Sequence, residues 1–157
     1  MNPITVTKIV SIFKRPGERG QIAMIASLVQ LGHAGRDFLI AIWYSHTTID
    51  VRRWAVHGLG NYTDIDTKRI IRKALTDPAM SVRLHAIRAI DAMGDKKMAA
   101  YIKPLLRDVS GGIRSNALDV LVKFGVKGMS TIAKGCLLDE KKYIRDRARY
   151  YLDSGAA

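Results

Sequence analysis

The sequence predicts an all-α chain of stacked antiparallel helix pairs, a right-handed solenoid without strands. Three observations predict it. The strings Val51-Arg52-Arg53-Trp54-Ala55, Val82-Arg83-Leu84-His85-Ala86, Ile113-Arg114-Ser115-Asn116-Ala117 and Ile144-Arg145-Asp146-Arg147-Ala148 begin 31 residues apart within a chain of 157. Periods of this size mark supersecondary units that bury their apolar faces only by stacking. Within each unit apolar residues recur at i, i+4 and i+8, the spacing of one helix face, and no segment alternates in the manner of a strand.

The elements follow in order. A capping helix is expected over 4–14, carrying Ile9 and Phe13. Helix pairs are expected at 20–31 and 36–45, 51–62 and 66–76, 82–93 and 97–107, and 113–124 and 128–138. A terminal capping helix at 144–153 closes the chain. The repeats thus run over about 20–50, 51–81, 82–112 and 113–143 of a single domain spanning 1–157.

The first helices carry the columns Val51/Val82/Ile113/Ile144, Ala55/Ala86/Ala117/Ala148 and Leu28/Leu59/Ile90/Leu121/Leu152. Alanine in the middle column lets another helix approach closely. Gly32, Gly94 and Gly125 share the column just past this helix, where a positive φ can end it; Thr63 breaks that column. The second helices carry Ile9/Ile40/Ile71/Ile102/Ala133 and Phe13/Tyr44/Leu75/Leu106/Leu137. Asp95 lies in position to cap one second helix, and Asp64 or Asp66 another. Pro104 should kink or shorten the third.

The string Asp77…Val82-Arg83…Ala86-Ile87…Ile90 resembles the short HEAT-like repeat of the phycobilisome-lyase type. The resemblance covers roughly 46–153 strongly and 4–45 weakly. Tetratricopeptide and ankyrin repeats fit worse, because this period is shorter and their signature strings are missing. The resemblance implies a HEAT/armadillo-like αα superhelix whose second helices line the concave side. Such repeats serve as scaffolds, as lyase subunits and as DNA-repair enzymes, so function has to be argued from sites.

A formal charge of +12, with only two glutamates (Glu18 and Glu140), favours anionic partners. The lone Cys136 excludes an internal disulfide and fits a reducing cytoplasm. The N-terminal apolar run Ile9–Phe13 is broken by Ser11 and followed by Lys14 and Arg15. It is too short for a signal-peptide core or a membrane span, so a cytoplasmic location is expected.

Recurrence sorts the polar residues. Asp77, Asp108 and Asp139 form one column, and Arg52, Arg83, Arg114 and Arg145 another; His46 stands in the aspartate's place one step earlier. What recurs at every step holds a stack together, so these columns are expected to form a ladder of ion pairs. Arg72, Lys103 and Lys134 each follow the Ile71/Ile102/Ala133 column by one residue, which rotates them about 100° away from it. The resemblance puts them on the concave side as a basic ridge of about 20 Å, widened by Lys68, Arg69, Lys73 and Arg107. Such a ridge suits an acidic protein partner or, in the alternative, a phosphate backbone.

Trp43, Tyr44, Tyr62 and Phe124 fall in core columns. Trp54, whose column continues as His85, Asn116 and Arg147, is expected to be exposed and to form an outer contact patch with Arg53 and His57. Helix 20–31 is apolar nearly all round and should be buried on every side, partly by helix 4–14 and partly through a homodimer or partner interface in the 4–45 region.

The chain carries no Walker loop, dinucleotide fingerprint or HExxH, no His-Glu pair and no cysteine pair, so no catalytic residue, cofactor or metal is assigned. Cys136 shares a column with Ala74 and Leu105, predicting inert burial. The acid expected in the exposed second-helix columns is Asp37, with no obvious aromatic beside it. The aspartate-with-aromatics cleft that the resemblance associates with HEAT-like DNA glycosylases is therefore unassigned, and that enzyme and a bilin lyase subunit stand behind the binding readings.

Overall fold

The computed structural model of the protein describes residues 18–45 and 48–156. The expected capping helix over 4–14 and the substitution at His46 lie outside them. Among the described residues there are nine α-helices and no strand: α1 (Glu18–Gln30), α2 (His33–Ser45), α3 (Ile49–Leu59), α4 (Ile65–Ala74), α5 (Met80–Met93), α6 (Ala99–Ile102), α7 (Gly111–Lys123), α8 (Met129–Cys136) and α9 (Lys142–Asp153). The chain divides into two compact units, Met1–Met93 and Gly94–Ala157. The first contains α1–α5 and the second contains α6–α9.

The repeat is literal in the backbone. The first helices α3, α5, α7 and α9 begin at Ile49, Met80, Gly111 and Lys142, each 31 residues after the last and two residues ahead of the echo itself. Their apolar columns are the core. Val82 and Ile144 have no exposed surface, and Val51 and Ile113 expose 1% each. Ala55, Ala86, Ala117 and Ala148 are all at 0%, so each small side chain sits where a larger one would have to displace a neighbour. A Cβ built on Gly60 would meet the Ala89 Cα at 2.9 Å, which shows how closely α3 and α5 approach.

The predicted terminators act as such. Gly32, Gly94 and Gly125 have φ of +58°, +64° and +60°, a region that L side chains avoid. Where Thr63 takes this place, α3 ends without a positive φ: Asn61 N–H donates to Gly58 O (3.2 Å) and Tyr62 N–H to Leu59 O (3.0 Å). Asp64, and not Asp66, caps α4, its carboxylate accepting from Thr67 N–H (3.0 Å) and the Thr67 hydroxyl (2.7 Å). Asp95 accepts from Lys97 N–H at 3.0 Å.

One helix departs from its expected extent. The helix expected at 97–107 is a 3₁₀ turn (Lys96–Met98), one turn of α6, and a second 3₁₀ stretch (Lys103–Arg107). Pro104 causes the second of these 3₁₀ stretches, since it has no N–H and its ring clashes with the carbonyl four residues back. Within one chain helix α1 keeps an uncovered apolar side, the side expected to meet a partner. Ile25 is buried, but Ile22 is 48% exposed, and Ala23 and Ala26 face solvent with it.

Candidate binding surfaces

The Asp and Arg columns form the expected ladder, and its geometry explains the period. Each of three arginines reaches back six residues to the loop before its own helix. Arg83 donates to the carbonyls of Asp77 (2.9 Å) and Pro78 (3.0 Å), Arg114 to that of Asp108 (2.8 Å), and Arg145 to those of Asp139 (2.7 Å) and Glu140 (2.9 Å). Two reach forward 25 residues to the next loop: Arg52 grips Asp77 at 2.8 and 3.0 Å, and Arg114 grips Asp139 at 2.7 and 2.9 Å. The backward and forward reaches together make one repeat. Asp77, Asp108 and Asp139 also accept from the N–H two residues on, at 2.9, 2.8 and 2.9 Å. The hydrogen bonds from Arg114, with the Lys141 N–H, hold the Asp139 carboxyl below its ordinary value, and Asp77 keeps Arg52 more firmly charged.

Of the expected outer patch, Trp54 is buried, Arg53 half-buried and His57 exposed. Trp54 is 3% exposed and its column is a seam between successive first helices. In the first unit Trp54, His57 and His85 make a triangle of edge-on rings with centroids 5.4, 5.5 and 5.6 Å apart. The Arg53 guanidinium lies 5.2 Å from the Trp54 ring centroid, a cation–π distance. His85 is buried and bonds the Ser81 carbonyl through Nδ1 at 2.8 Å. Burial, then the nearby Arg88, lowers the His57 pKa; burial also lowers that of His85. In the second unit the same seam is polar: Arg147 donates to Ser115 Oγ (2.9 Å) and to Asp119, and the Tyr151 hydroxyl donates to Asp119 (2.8 Å). Burial and that hydrogen bond push the Tyr151 phenol up to about 12.

The predicted basic residues do face solvent on the second helices. On α4, Arg69, Arg72 and Lys73 are exposed and Lys68 half-buried, opposite buried Thr67, Ile70, Ile71 and Ala74. Lys103 and Arg107 are exposed beside buried Ile102 and Leu105, and exposed Lys134 follows fully buried Ala133. Arg69 has a 3.8 Å contact with Asp66. Lys73, Lys103, Arg107 and Lys134 have no carboxylate partner among the described residues.

Each unit also opens a groove on its second-helix side. In the first, Arg36, Asp37, Ile40 and Tyr44 of α2 face Asp66, Arg69 and Ile70 of α4 around about 310 Å³. Tyr44 is 62% exposed and not packed in the core, so Asp37 does have an aromatic on its groove, and Asp66 is a second exposed acid there. Asp37 is held by Arg36 at 2.6 and 2.9 Å. In the second unit Leu106, Arg107, Thr131, Ile132, Gly135, Cys136, Leu138 and Asp139 surround about 330 Å³. Tyr44 and Leu106, Arg69 and Thr131, and Ile70 and Ile132 are register equivalents, so the two grooves occupy the same place in the repeat. Cys136 is half-buried and lines its groove, and burial, with Asp139, raises its thiol pKa. Among the described residues no group of three or more His, Cys, Asp or Glu gathers to hold a metal.

Helix pairs in a 31-residue register, tied loop to loop by an Asp–Arg ladder, define an α-helical repeat protein. Residues 67–153, more than half of the chain, match the family model for HEAT repeats, and the chain belongs to that family. It is similar to a chain in the solved complex of CpcE and CpcF of phycocyanin lyase from Nostoc sp. PCC7120, with 20% sequence identity and a TM-score of 0.74. The match covers 95% of this chain and 98% of that one, a likeness in fold. No curated protein matches the sequence.

Proposed function

We propose that this chain is a non-catalytic binding module, one uninterrupted run of HEAT-like repeats whose second helices hold an acidic protein partner. The observation that carries this reading is the solvent-facing set Lys73, Lys103, Arg107 and Lys134, without carboxylate partners among the described residues. Arg69 and Arg72 are exposed on the same helix as Lys73. Each unit has thirteen Lys and Arg against seven Asp and Glu, and the ladder and seam tie Asp77, Asp139 and Asp119 to arginines. The excess charge is therefore left to the surface, where it steers an anionic partner before shape decides fit. That the similar fold comes from a complex of two proteins supports a protein partner. The lone Cys136 supports a cytoplasmic location, and no described helix is long and apolar enough to cross a membrane.

Anisotropy of a labelled glutamate-rich peptide and of a labelled DNA duplex, each titrated over salt, tests the reading. The peptide is expected to bind at low salt, and joint Arg72→Gln, Lys103→Gln and Lys134→Gln substitution should weaken it about tenfold, at a few tenths to 1 kcal/mol per exposed pair. Tighter binding of the duplex, with a steep log-linear salt slope that the triple variant flattens, would replace this reading with nucleic-acid binding. No binding of either overturns both.

The exposed Ile22, Ala23 and Ala26 of α1 favour a second contact, a homodimer through the N-terminal region. Sedimentation showing a monomer at high micromolar concentration would exclude it.

A further inference from the structure

The groove of the second unit has the makings of a socket. It lies between the Lys103–Arg107 stretch and α8, with Leu106, Ile132 and Leu138 as apolar walls and a volume of about 330 Å³. That volume is at the small end of the range for ligand pockets, roughly 300–1,000 Å³. Leu138 is 88% exposed, and Val109, on the loop that Arg114 ties to Asp139, is 92% exposed. Leu138, a large aliphatic lining side chain left in water, extends the apolar wall outward.

Two sequence features keep the groove open. Pro104 turns the second helix into a 3₁₀ stretch that ends at Arg107. Gly135 takes away a side chain where a built Cβ would meet nothing within 4 Å. Charge then selects the occupant. The lining carboxylate, Asp139, is engaged by Arg114 at 2.7 and 2.9 Å and by the Lys141 N–H at 2.9 Å. Arg107 is the lining charge left to a ligand, and exposed Lys134 precedes Gly135. The first unit's groove differs, because its cations Arg36 and Arg69 face Asp37 and Asp66 of the same groove.

We propose that this groove receives one large apolar side chain of an acidic peptide segment, a leucine or phenylalanine flanked by aspartate or glutamate. The apolar side chain seats against Leu106, Ile132 and Leu138, and the flanking carboxylates reach Arg107 and Lys134. This rests on the acidic-partner reading above and specifies the partner's chemistry.

The test uses the full chain and two labelled eight-residue peptides of equal charge, Asp/Glu-rich, one with Leu-Phe at its centre and one with Ser-Gly. The Leu-Phe peptide is expected to bind about tenfold tighter, the effect of burying one such side chain. Cys136 is the chain's one cysteine and lines the groove, so its alkylation at pH 8 should slow in proportion to occupancy by the Leu-Phe peptide. Gly135→Leu fills the groove and favours the helix. With far-UV circular dichroism unchanged, it should erase the preference for Leu-Phe while keeping the weaker Ser-Gly binding.

Equal binding of both peptides with Cys136 alkylation unaffected overturns the socket and leaves the basic-surface reading standing. A Leu-Phe preference that survives Gly135→Leu also overturns it, since the anchor then seats elsewhere. Protection of Cys136 by a single-stranded oligonucleotide and not by the Leu-Phe peptide gives the groove to nucleic acid. Failure of both peptides to bind overturns the basic-surface reading and the socket with it.

Discussion

Replacing Arg114 by methionine should be among the most damaging single changes in the second unit. The residue is 8% exposed, and its guanidinium makes two bonds to Asp139 (2.7 and 2.9 Å), one to Glu140 (3.1 Å) and one to the Asp108 carbonyl (2.8 Å). Methionine keeps much of the apolar stem and removes the charge. The Asp139 carboxylate, 10% exposed, is then left with the Lys141 N–H. Removing one partner of a buried pair costs about 3–5 kcal/mol, and the retained N–H puts this case near the lower end, about 3 kcal/mol. The pH dependence carries a second signature. Arg114 holds the Asp139 carboxyl below its ordinary 3.8, so the pair's stabilisation is complete above that pH and is lost as pH falls through the folded value. Urea unfolding followed by circular dichroism should therefore show a constant difference between wild type and Arg114→Met from neutral pH to mild acid. The difference should shrink below pH 3.8. A cost under about 1 kcal/mol at neutral pH, where surface pairs fall, or one that does not shrink in acid, would refute the ladder as a stabilising element.

Gly125→Ala meets no atom within 4 Å, so its cost is the backbone's alone: about 1 kcal/mol for an alanine at φ +60°, read in the same unfolding assay. His85 is buried with its pKa lowered, so the unfolded chain takes up the proton first. Stability should fall as pH drops below 6.5, and His85→Gln should flatten that slope. Tyr151→Phe removes the hydrogen bond to Asp119 and should cost about 1 kcal/mol; its absence should also remove the phenol that titrates near 12 in a spectrophotometric titration.

The fold was legible because a repeat writes the same physics several times. The Val/Ile and Ala columns, the glycine terminators and the Asp and Arg columns each appear at multiple positions, so a helix face or a cap is read from agreement and not from one residue. Trp54 departs from its expected exposure for a reason intrinsic to periodicity. Periodicity within one helix reveals the face turned to its own partner. It does not reveal the flank that packs on the next first helix, where Trp54 meets His57 and His85. Tyr44 failed differently. Its column is buried at Leu75 (2% exposed) but lies at the rim of the groove at Tyr44 (62%), where a phenol can reach out from an apolar base. Cys136, expected in the core beside the Ala74 and Leu105 column, lines a groove because Gly135 and Pro104 open the wall around it. The solvent-facing cations were legible from one rule, a residue placed 100° from a buried column. The grooves were not, because they arise from side chains that are missing.

Hydrogen–deuterium exchange on the complex with a glutamate-rich peptide tests the central claim most directly, since it locates the bound surface without a variant. Amides of α4, of Lys103–Arg107 and of α8 should gain protection that salt removes, while α3, α5 and α7 stay unchanged. Protection confined to those first helices, or none on the second helices at saturating peptide, would contradict the account.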